Sequence, residues 1–268
     1  MKYNRVLTIA GSDSGGGAGI QADIKTISAC GCYAASAITA ITIQNTIGVQ
    51  SVVGLPAQAI SGQIEAVLSD IGADSVKIGM LHSSEVIRAI VESLTKYPIK
   101  NVVLDPVMVS TSGHKLIEDS AMETLMTDLI PLARIITPNI PEAEILIGEK
   151  ISKQEELPSI AEALAKKFNV SVMLKAGHLT EERLTDIFYN NESQSYIRLT
   201  GSRSSTSNTH GTGCTLSSAI ASMLAKGFGM DEAVTQAKNY LSGAITEGAK
   251  YEIGHGHGPV CHFWNLWK

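Results

Sequence analysis

The chain has 268 residues, of which 44% are hydrophobic and 18% charged, and its formal net charge is -5 at pH 7. This length fits one large α/β domain or two small ones, and the acidic balance argues against a nucleic-acid or anionic-membrane surface. No apolar run is long enough to span a bilayer, the amino terminus has no signal-peptide layout, and four cysteines in a chain of this size do not form a disulfide framework. We therefore expect a cytoplasmic protein with reduced thiols.

Short apolar segments alternate with amphipathic segments along most of the chain. The predicted strands are Val6–Ala10, Ala34–Thr42, Val49–Leu55, Ser75–Ile78, Asn101–Leu104, Arg134–Ile136 and Ser171–Leu174. The predicted helices are Ala18–Ala29, Ala57–Asp70, Ser84–Leu94, Asp119–Ile130, Pro158–Phe168, Gly213–Lys226 and Asp231–Gly248, and a hairpin is predicted over Thr185–Tyr189 and Tyr196–Leu199. This alternation predicts a mostly parallel sheet covered by helices on both faces. With no linker or repeat, we expect one domain over residues 1–268.

Polar residues follow the predicted strands at the edge where a doubly wound sheet binds its ligands. A glycine-rich loop, predicted over Gly11–Gly17, follows the first strand, and Asp105, Asn139 with Glu142, and Lys175 follow three later strands. Mg²⁺ prefers oxygen ligands and keeps much of its water. Carboxylates, an amide and a lysine at one edge therefore suit a metal-assisted phosphate chemistry.

A polar turn over Ser207–Cys214 runs directly into a segment of small and apolar residues. This pattern predicts a loop that leads into the N-terminus of a buried helix, where unpaired N–H groups and the helix dipole favour an anion. Gly211 and Gly213 allow a ligand to approach the backbone closely, and a thiol at the position of Cys214 is expected to have a lowered pKa. The alternative is an ordinary helix start with Thr209 or Thr212 as the cap.

Three other patterns in the sequence resemble functional motifs but lack the expected context. Residues 17–22 match G-x-G-x-x-[GA], yet no acidic residue lies between Asp23 and Glu65 to bind a ribose, and the chain has no Gly-Lys dipeptide for a Walker loop. Cys30 and Cys32 lack redox or zinc spacing. The remaining His and Cys residues near the C-terminus, which are His255, His257, Cys261 and His262, fit an irregular loop better than a metal site.

The ordered set of motifs resembles the ribokinase-like superfamily over essentially the whole chain. More narrowly, it is similar to the family of hydroxymethylpyrimidine/phosphomethylpyrimidine kinases of thiamin biosynthesis. The motifs are Ile9–Ser14, Gly16–Asp23, Asp105–Met108, Thr137–Asn139 with Glu142, His210–Ser217 and Gly256–Val260. The resemblance implies a three-layer α/β/α fold with a mostly parallel central sheet and a small β lid or hairpin.

The resemblance also implies roles at the phosphate site. The backbone amides of Gly211, Thr212, Gly213 and Cys214 would hold the transferring phosphoryl group, and the Cys214 thiolate would orient or deprotonate the substrate hydroxyl. The nucleotide would be bound by Lys175, Thr209, Lys238 and Asn139, and Mg²⁺ would be held by Asp105 and Glu142 through water. Lys238 could equally be a solvated lysine on a helix.

On the substrate side the resemblance points to Gly11, Asp23, Gln44, Met80 and Val107. Gln44 ends an apolar run, and its amide offers donors and an acceptor that match the ring nitrogen and exocyclic amine of an aminopyrimidine. A similar branch of bacterial pyridoxal kinases carries an apolar residue at this position. The loop Ser110–His114 lacks the lysine often found there in the family.

The resemblance therefore implies an ATP- and Mg²⁺-dependent enzyme that phosphorylates 4-amino-5-hydroxymethyl-2-methylpyrimidine and then its monophosphate. One alternative is a pyridoxal or pyridoxine kinase. Another, from a different class, is a non-catalytic sensor of a vitamin or nucleotide, against which the set Asp105, Asn139, Glu142 and Cys214 argues. The family's usual form implies a homodimer, with its contact expected at Val49–Leu55.

Overall fold

The computed structural model describes residues 2–108, 117–177, 183–202 and 206–267. The strands are β1 (Arg5–Asp13), β2 (Tyr33–Gln44), β3 (Val49–Gly54), β4 (Ser75–Ile78), β5 (Val102–Leu104), β6 (Ile135–Ile136), β7 (Ser171–Leu174), β8 (Arg183–Asn190) and β9 (Ser195–Ser202). The α-helices are α1 (Gly19–Ala29), α2 (Ala57–Asp70), α3 (Ser84–Lys96), α4 (Asp119–Thr124), α5 (Ile140–Ile147), α6 (Leu157–Phe168), α7 (Thr212–Ala225) and α8 (Met230–Gly248). The loop Ser110–His114 lies outside the described residues.

The strands form one sheet in the order β3-β2-β1-β4-β5-β6-β7-β8-β9. The six central strands, from β2 to β7, run parallel, whereas β3 at one end and the β8–β9 hairpin at the other are antiparallel. The strands β1 and β4 to β7 are almost fully buried under the helices, as their nearly continuous apolar sequences predict, whereas β2 is only partly buried. The predicted hairpin is confirmed as β8 and β9.

Two apolar clusters cover the two faces of the sheet. On one face Leu7 and Ile9 of β1 pack with residues of α2, α3, α4, α5 and α6. On the other face Val6 packs with residues of α1, α7 and α8. Neighbouring residues of β1 point to opposite faces because side chains alternate along a strand. This is the three-layer arrangement that the alternating sequence pattern predicts.

Three local predictions differ from the structure. β1 continues to Asp13, so Gly11 and Ser12 lie on the strand and not in the predicted loop. The helix predicted over Asp119–Ile130 is α-helical only to Thr124 and then continues as a π turn and a 3-10 turn that contains Pro131, which has no N–H to donate. Helix α5 was not predicted, because its first residues were assigned to ligand binding.

All four cysteines carry free thiols, as the sequence predicts. Among the described residues, no helix is both long enough and apolar enough to cross a membrane. The C-terminal segment packs on α7 and α8, where Tyr240 Oη donates to the carbonyl oxygen of His262 and the His262 ring lies 3.2 Å from the Thr215 hydroxyl. His262 is thus a buried residue of the core.

Burial makes the stability of the protein depend on the protonation of His262. Loss of water, with a smaller contribution from Lys25, lowers the pKa of this imidazole from 6.5 to about 4. The unfolded chain binds this proton more tightly than the folded chain does. The contribution of neutral His262 to the free energy of unfolding is therefore fully present above pH 6.5 and is lost as the pH falls toward 4. The free energy of unfolding should therefore fall by about 3 kcal/mol more in the wild type than in His262→Gln over this range. Urea unfolding at several pH values measures it, and parallel pH profiles for both proteins would contradict it.

Candidate active site

The first turn of α7 lies at the carboxyl edge of the parallel strands. Gly211, its N-cap, has φ of 81°, and a Cβ at this position would overlap the carbonyl oxygen of Gly17. Only glycine fits because the conformation is left-handed and the β1–α1 loop is in contact. No side chain caps the helix, neither Thr209 nor Thr212, so the capped-start alternative is wrong. The N–H groups of Gly213 and Cys214 in the first turn therefore remain suited to an anion, whereas the Thr212 N–H donates to the Thr209 carbonyl at 3.3 Å.

Asp105, which follows β5, and Lys175, which follows β7, meet this helix start from the two sides of β6. Lys175 Nζ lies 3.0 Å from Asp105 Oδ1, which also accepts the Thr137 hydroxyl at 2.9 Å. A Cβ on Gly213 would lie 3.3 Å from Asp105 Oδ2 and 3.4 Å from Lys175 Nζ. The structure thus brings an anion-binding helix end, a carboxylate and a lysine together, as the strand-end argument predicts.

Asn139 and Glu142 form a capping box at the start of α5. Asn139 Oδ1 accepts from the Glu142 N–H at 2.9 Å, and Glu142 Oε2 accepts from the Asn139 N–H at 2.8 Å. The N-x-x-E spacing is a helix-start signal in its own right, which explains why this segment is helical. Asn139 also bridges to Lys175 through its backbone, so the box holds Glu142 beside the Asp105–Lys175 pair.

The acidic pair has the chemistry of a divalent-cation site that is completed by water and phosphate. Burial raises the pKa of Glu142 to about 7, with Asp105 also raising it and Lys175 lowering it. A divalent cation would favour the ionised form of both carboxylates. In the described part of the chain no group of three or more His, Cys, Asp or Glu residues is arranged to bind a metal alone.

Cys214 lies in the first turn of α7 and is partly buried. Burial raises the pKa of its thiol to about 11; Lys77 lowers it, and the carboxylates of Asp23 and Asp105 raise it further. The expected lowering of this pKa by the helix N-terminus is therefore wrong, because desolvation and two nearby negative charges outweigh it. At neutral pH the side chain of Cys214 is therefore a thiol and not a thiolate.

A fully buried ion pair lies close to Cys214. Lys77 Nζ is 2.8 Å from Asp23 Oδ2, and both side chains are 0% exposed. Thr8 donates to the same carboxylate at 2.6 Å and Ser218 at 2.7 Å. Asp23 therefore joins β1, α1, β4 and α7 through hydrogen bonds, and its predicted contact with substrate stays a prediction. The sequence analysis did not identify Lys77. The feature that could have indicated its role is the presence of a lysine inside the buried strand Ser75–Ile78.

Gly11, Met80 and Val107 lie at neighbouring strand ends. Gly11 is buried, and a Cβ there would lie 3.1 Å from Met80 Sδ, so the glycine permits the thioether to pack against β1. Val107 is half-buried and follows Asp105 in a tight turn in which the Val107 N–H donates to the Asp105 carbonyl at 2.8 Å. The predicted substrate residues thus share an edge with the phosphate site.

Gln44 ends β2 and lies beside His210, which immediately precedes the start of α7. The side-chain amide of Gln44 is 3.2 Å from His210 Nε2, and the same ring nitrogen is 2.8 Å from Asp13 Oδ2. Backbone N–H groups of Gly15, Gly17 and Ala18 also bind the Asp13 carboxylate. Sequence reasoning assigned no role to Asp13 or His210, although both lie in quoted motifs, because nothing local shows that they meet.

Lys238 is bound to a buried carboxylate and is not a solvated helix lysine. Its Nζ lies 2.6 Å from Asp186 Oδ2, and Asp186 Oδ1 accepts from the N–H of Ala176, the residue after Lys175. This contact holds Lys238 at the carboxyl end of β7. Thr209 lies in the loop before α7, where its carbonyl accepts from the Thr212 N–H at 3.3 Å. Their predicted contacts with nucleotide stay predictions.

Comparison with known proteins agrees with this geometry. The sequence profile described as phosphomethylpyrimidine kinase matches residues 13–261. A hydroxymethylpyrimidine/phosphomethylpyrimidine kinase from Rhizobium meliloti (strain 1021) is 49% identical over 263 residues, which cover 98% of each chain. The chain belongs to the phosphomethylpyrimidine kinase family. As a member of this family it is a phosphotransferase, so the enzyme and family predictions are confirmed.

Solved structures confirm the ribokinase-like fold of this kinase. A phosphomethylpyrimidine kinase from Clostridium difficile 630 is 48% identical with a TM-score of 0.79, covering 90% of this chain and 99% of that one. A pyridoxal kinase from Staphylococcus aureus in complex with ADP is 34% identical with a TM-score of 0.90, covering 99% of this chain and 96% of that one. The two kinds of kinase share one architecture, so substrate choice has to come from individual side chains.

Proposed function

We propose that this kinase uses ATP to phosphorylate the hydroxymethyl group of 4-amino-5-hydroxymethyl-2-methylpyrimidine, and then phosphorylates the monophosphate to the diphosphate, in thiamin biosynthesis. The observation that carries the proposal is the position of the Gln44 amide, next to the residue that leads into the anion-binding start of α7. An amide there places a matching hydrogen-bonding edge beside the phosphoryl site. The names of the relatives support the same substrate class.

Positioning and charge neutralisation carry the proposed transfer. The substrate oxygen forms a bond to the γ-phosphorus, the bond to the β–γ bridging oxygen breaks, ADP leaves and the hydroxyl proton is released. The first-turn amides of α7 would hold the transferring group, with Lys175 and Lys238 on the nucleotide phosphates. Since the transition state is loose, a strong base is not needed. Cys214, as a neutral thiol, would orient the hydroxyl.

The acidic pair and the capping box support the predicted use of Mg²⁺. Asp105 and Glu142 would hold the ion, partly through water, and Asn139 would keep Glu142 in place. When bound, Mg²⁺ neutralises the charge on phosphate oxygens. Lys175 also offsets the charge of Asp105, with 3.0 Å between Nζ and Oδ1.

Substrate-dependent release of ADP by the purified enzyme tests the proposal. The hydroxymethylpyrimidine, pyridoxal and pyridoxine would be compared, and the product masses recorded. Preference for the pyrimidine with a doubly phosphorylated product is the expected result. Preference for the pyridoxal series would instead favour the vitamin B6 branch, and tight binding without ADP release would favour a sensor.

Replacing Gln44 with methionine should weaken use of the pyrimidine far more than use of pyridoxine. The substitution keeps the length of the side chain but removes its hydrogen-bonding groups, so the amino and ring nitrogens of the substrate lose their partners. The kcat/KM for the pyrimidine should fall roughly 10- to 100-fold, since one or two hydrogen bonds in a desolvated site are lost. Steady-state kinetics with both substrates measure the ratio. Equal losses for the two substrates would show that Gln44 does not select between the pyrimidine and pyridoxine.

We further propose one kinase domain over residues 1–268, assembled as a cytoplasmic homodimer. Support comes from exposed apolar side chains on the β2–β3 hairpin, where Ile41 pairs with Val53 and Ile43 lies on the same side of β2. A contiguous exposed apolar patch on a sheet edge is typical of an interface.

Ile43→Asp should therefore shift the sedimentation coefficient from that of a dimer to that of a monomer. Leu132→Asp, an exposed apolar site elsewhere, is the matched control and should leave the assembly unchanged.

A further inference from the structure

The amide of Gln44 lies between two groups that come from separate parts of the chain. Its Nε2 end is 3.2 Å from His210 Nε2, and its Oε1 end is 3.1 Å from Thr42 Oγ1. The oxygen and nitrogen of an amide have nearly the same shape, so its orientation is decided by which neighbours donate and which accept. The other hydrogen bonds of His210 and Thr42 supply that information.

His210 is fixed as a donor by Asp13. The Asp13 carboxylate accepts N–H groups from Gly15, Gly17 and Ala18 at 2.8–3.1 Å, and its remaining partner is His210 Nε2 at 2.8 Å. An ionised carboxylate only accepts, so the proton lies on Nε2 of the ring. The ring packs closely against the backbone of Gly17, where an added Cβ would lie 2.5 Å from His210 Cδ2. A protonated Nε2 has no lone pair, so the Gln44 group that faces it at 3.2 Å can only accept, as the weaker branch of a bifurcated N–H bond shared with Asp13.

Thr42 is fixed as an acceptor toward Gln44. Its hydroxyl donates to the carbonyl oxygen of Ser12 at 2.9 Å, and a carbonyl cannot donate in return. The single hydroxyl proton is then used, and the oxygen of Thr42 can only accept from the amide. Both neighbours therefore favour the flipped Gln44 amide, rotated by 180° about its Cγ–Cδ bond. In that orientation its oxygen faces His210 and its NH₂ group faces Thr42.

We infer that His210 is a positioning residue for substrate selection, which holds the Gln44 amide in this single orientation through a chain of hydrogen bonds from Asp13. The inference rests on the proposed function, in which Gln44 binds the aminopyrimidine. In this orientation Gln44 keeps one N–H for a ring nitrogen and one lone pair for an exocyclic amine. A ring with a hydroxyl in place of the amine would not match as well, because its carbonyl tautomer presents an acceptor to the Gln44 oxygen.

The test is a double-mutant cycle between His210 and Gln44. His210→Phe keeps the shape of the ring and removes the Nε2 donor. Its KM for the hydroxymethylpyrimidine should rise about tenfold, the worth of one lost hydrogen bond, while kcat and the KM for ATP change less than twofold. In a Gln44→Ala background the same substitution should cause no further rise. His210→Gln, which restores a side-chain N–H donor, should recover part of the loss.

A second substrate separates selection from a structural effect. The KM for pyridoxine, which lacks the amino group, should not change in His210→Phe. Equal rises for both substrates, or additive effects of the Gln44 and His210 substitutions, would overturn the inference while leaving the pyrimidine-kinase function in place. A wild type that does not phosphorylate the pyrimidine would overturn the proposed function itself. If His210→Phe fails to fold, Thr42→Val removes the other contact of the amide and should produce the same selective rise in KM.

Discussion

Replacing Lys77 with methionine is expected to lower the free energy of unfolding by about 3–5 kcal/mol. Lys77 and Asp23 are both 0% exposed, and Nζ lies 2.8 Å from Oδ2. Methionine fills much of the space but leaves the Asp23 carboxylate without its cation in the interior. The hydroxyls of Thr8 and Ser218 remain as donors, but they do not neutralise the charge. Urea unfolding followed by circular dichroism measures the loss.

Two further variants show whether the loss comes from the buried charge. The double variant Lys77→Met with Asp23→Asn removes both charges, so it should recover a large part of the stability. Lys96→Met breaks the exposed ion pair with Glu65 and should change stability little, since water screens that pair. A small effect of Lys77→Met alone, equal to that of Lys96→Met, would contradict the expected cost of leaving the Asp23 carboxylate without its cation.

Replacing Asp105 with asparagine is expected to lower kcat/KM for the pyrimidine by about 10²–10³-fold, because a fixed charge at a phosphoryl-transfer site acts where charge develops. The substitution keeps the shape of the side chain, and Oδ1 can still accept from Thr137. It removes the charge that faces Lys175 and the first turn of α7. The concentration of Mg²⁺ needed for half-maximal rate should rise as well. Steady-state rates over a Mg²⁺ titration measure both effects.

Asp74→Asn is the matched control for this substitution. The Asp74 carboxylate binds Arg5. Asp74 directly precedes β4 and therefore lies at the amino ends of the parallel strands, opposite the site. Its replacement should alter stability without changing kcat/KM or the Mg²⁺ requirement. If Asp105→Asn were as active as Asp74→Asn, Asp105 would be a structural partner of Lys175 and Thr137 only.

The order of strands and helices follows from local patterns, which is why most of the predicted elements are confirmed. The segments Ala57–Asp70, Ser75–Ile78 and Ser171–Leu174 have the predicted bounds, since each is a short periodic run between turn residues. α5 shows a limit of this reasoning. Its start carries the N-x-x-E spacing of a capping box, and interpreting Asn139 and Glu142 only as ligands concealed the helix.

The sequence by itself determined the fold class, the family and the strand ends at which Asp105, Glu142 and Lys175 gather. These follow from periodicity and from motif order, which are properties of neighbouring residues. Only the tertiary structure decided the electrostatics of the site. The Lys77–Asp23 pair joins residues 54 positions apart, and the His210–Asp13 contact joins residues 197 apart. The raised pKa of Cys214 comes from burial and from charges on other strands and helices, so desolvation, which no local pattern encodes, reversed the effect that its place at a helix end predicts.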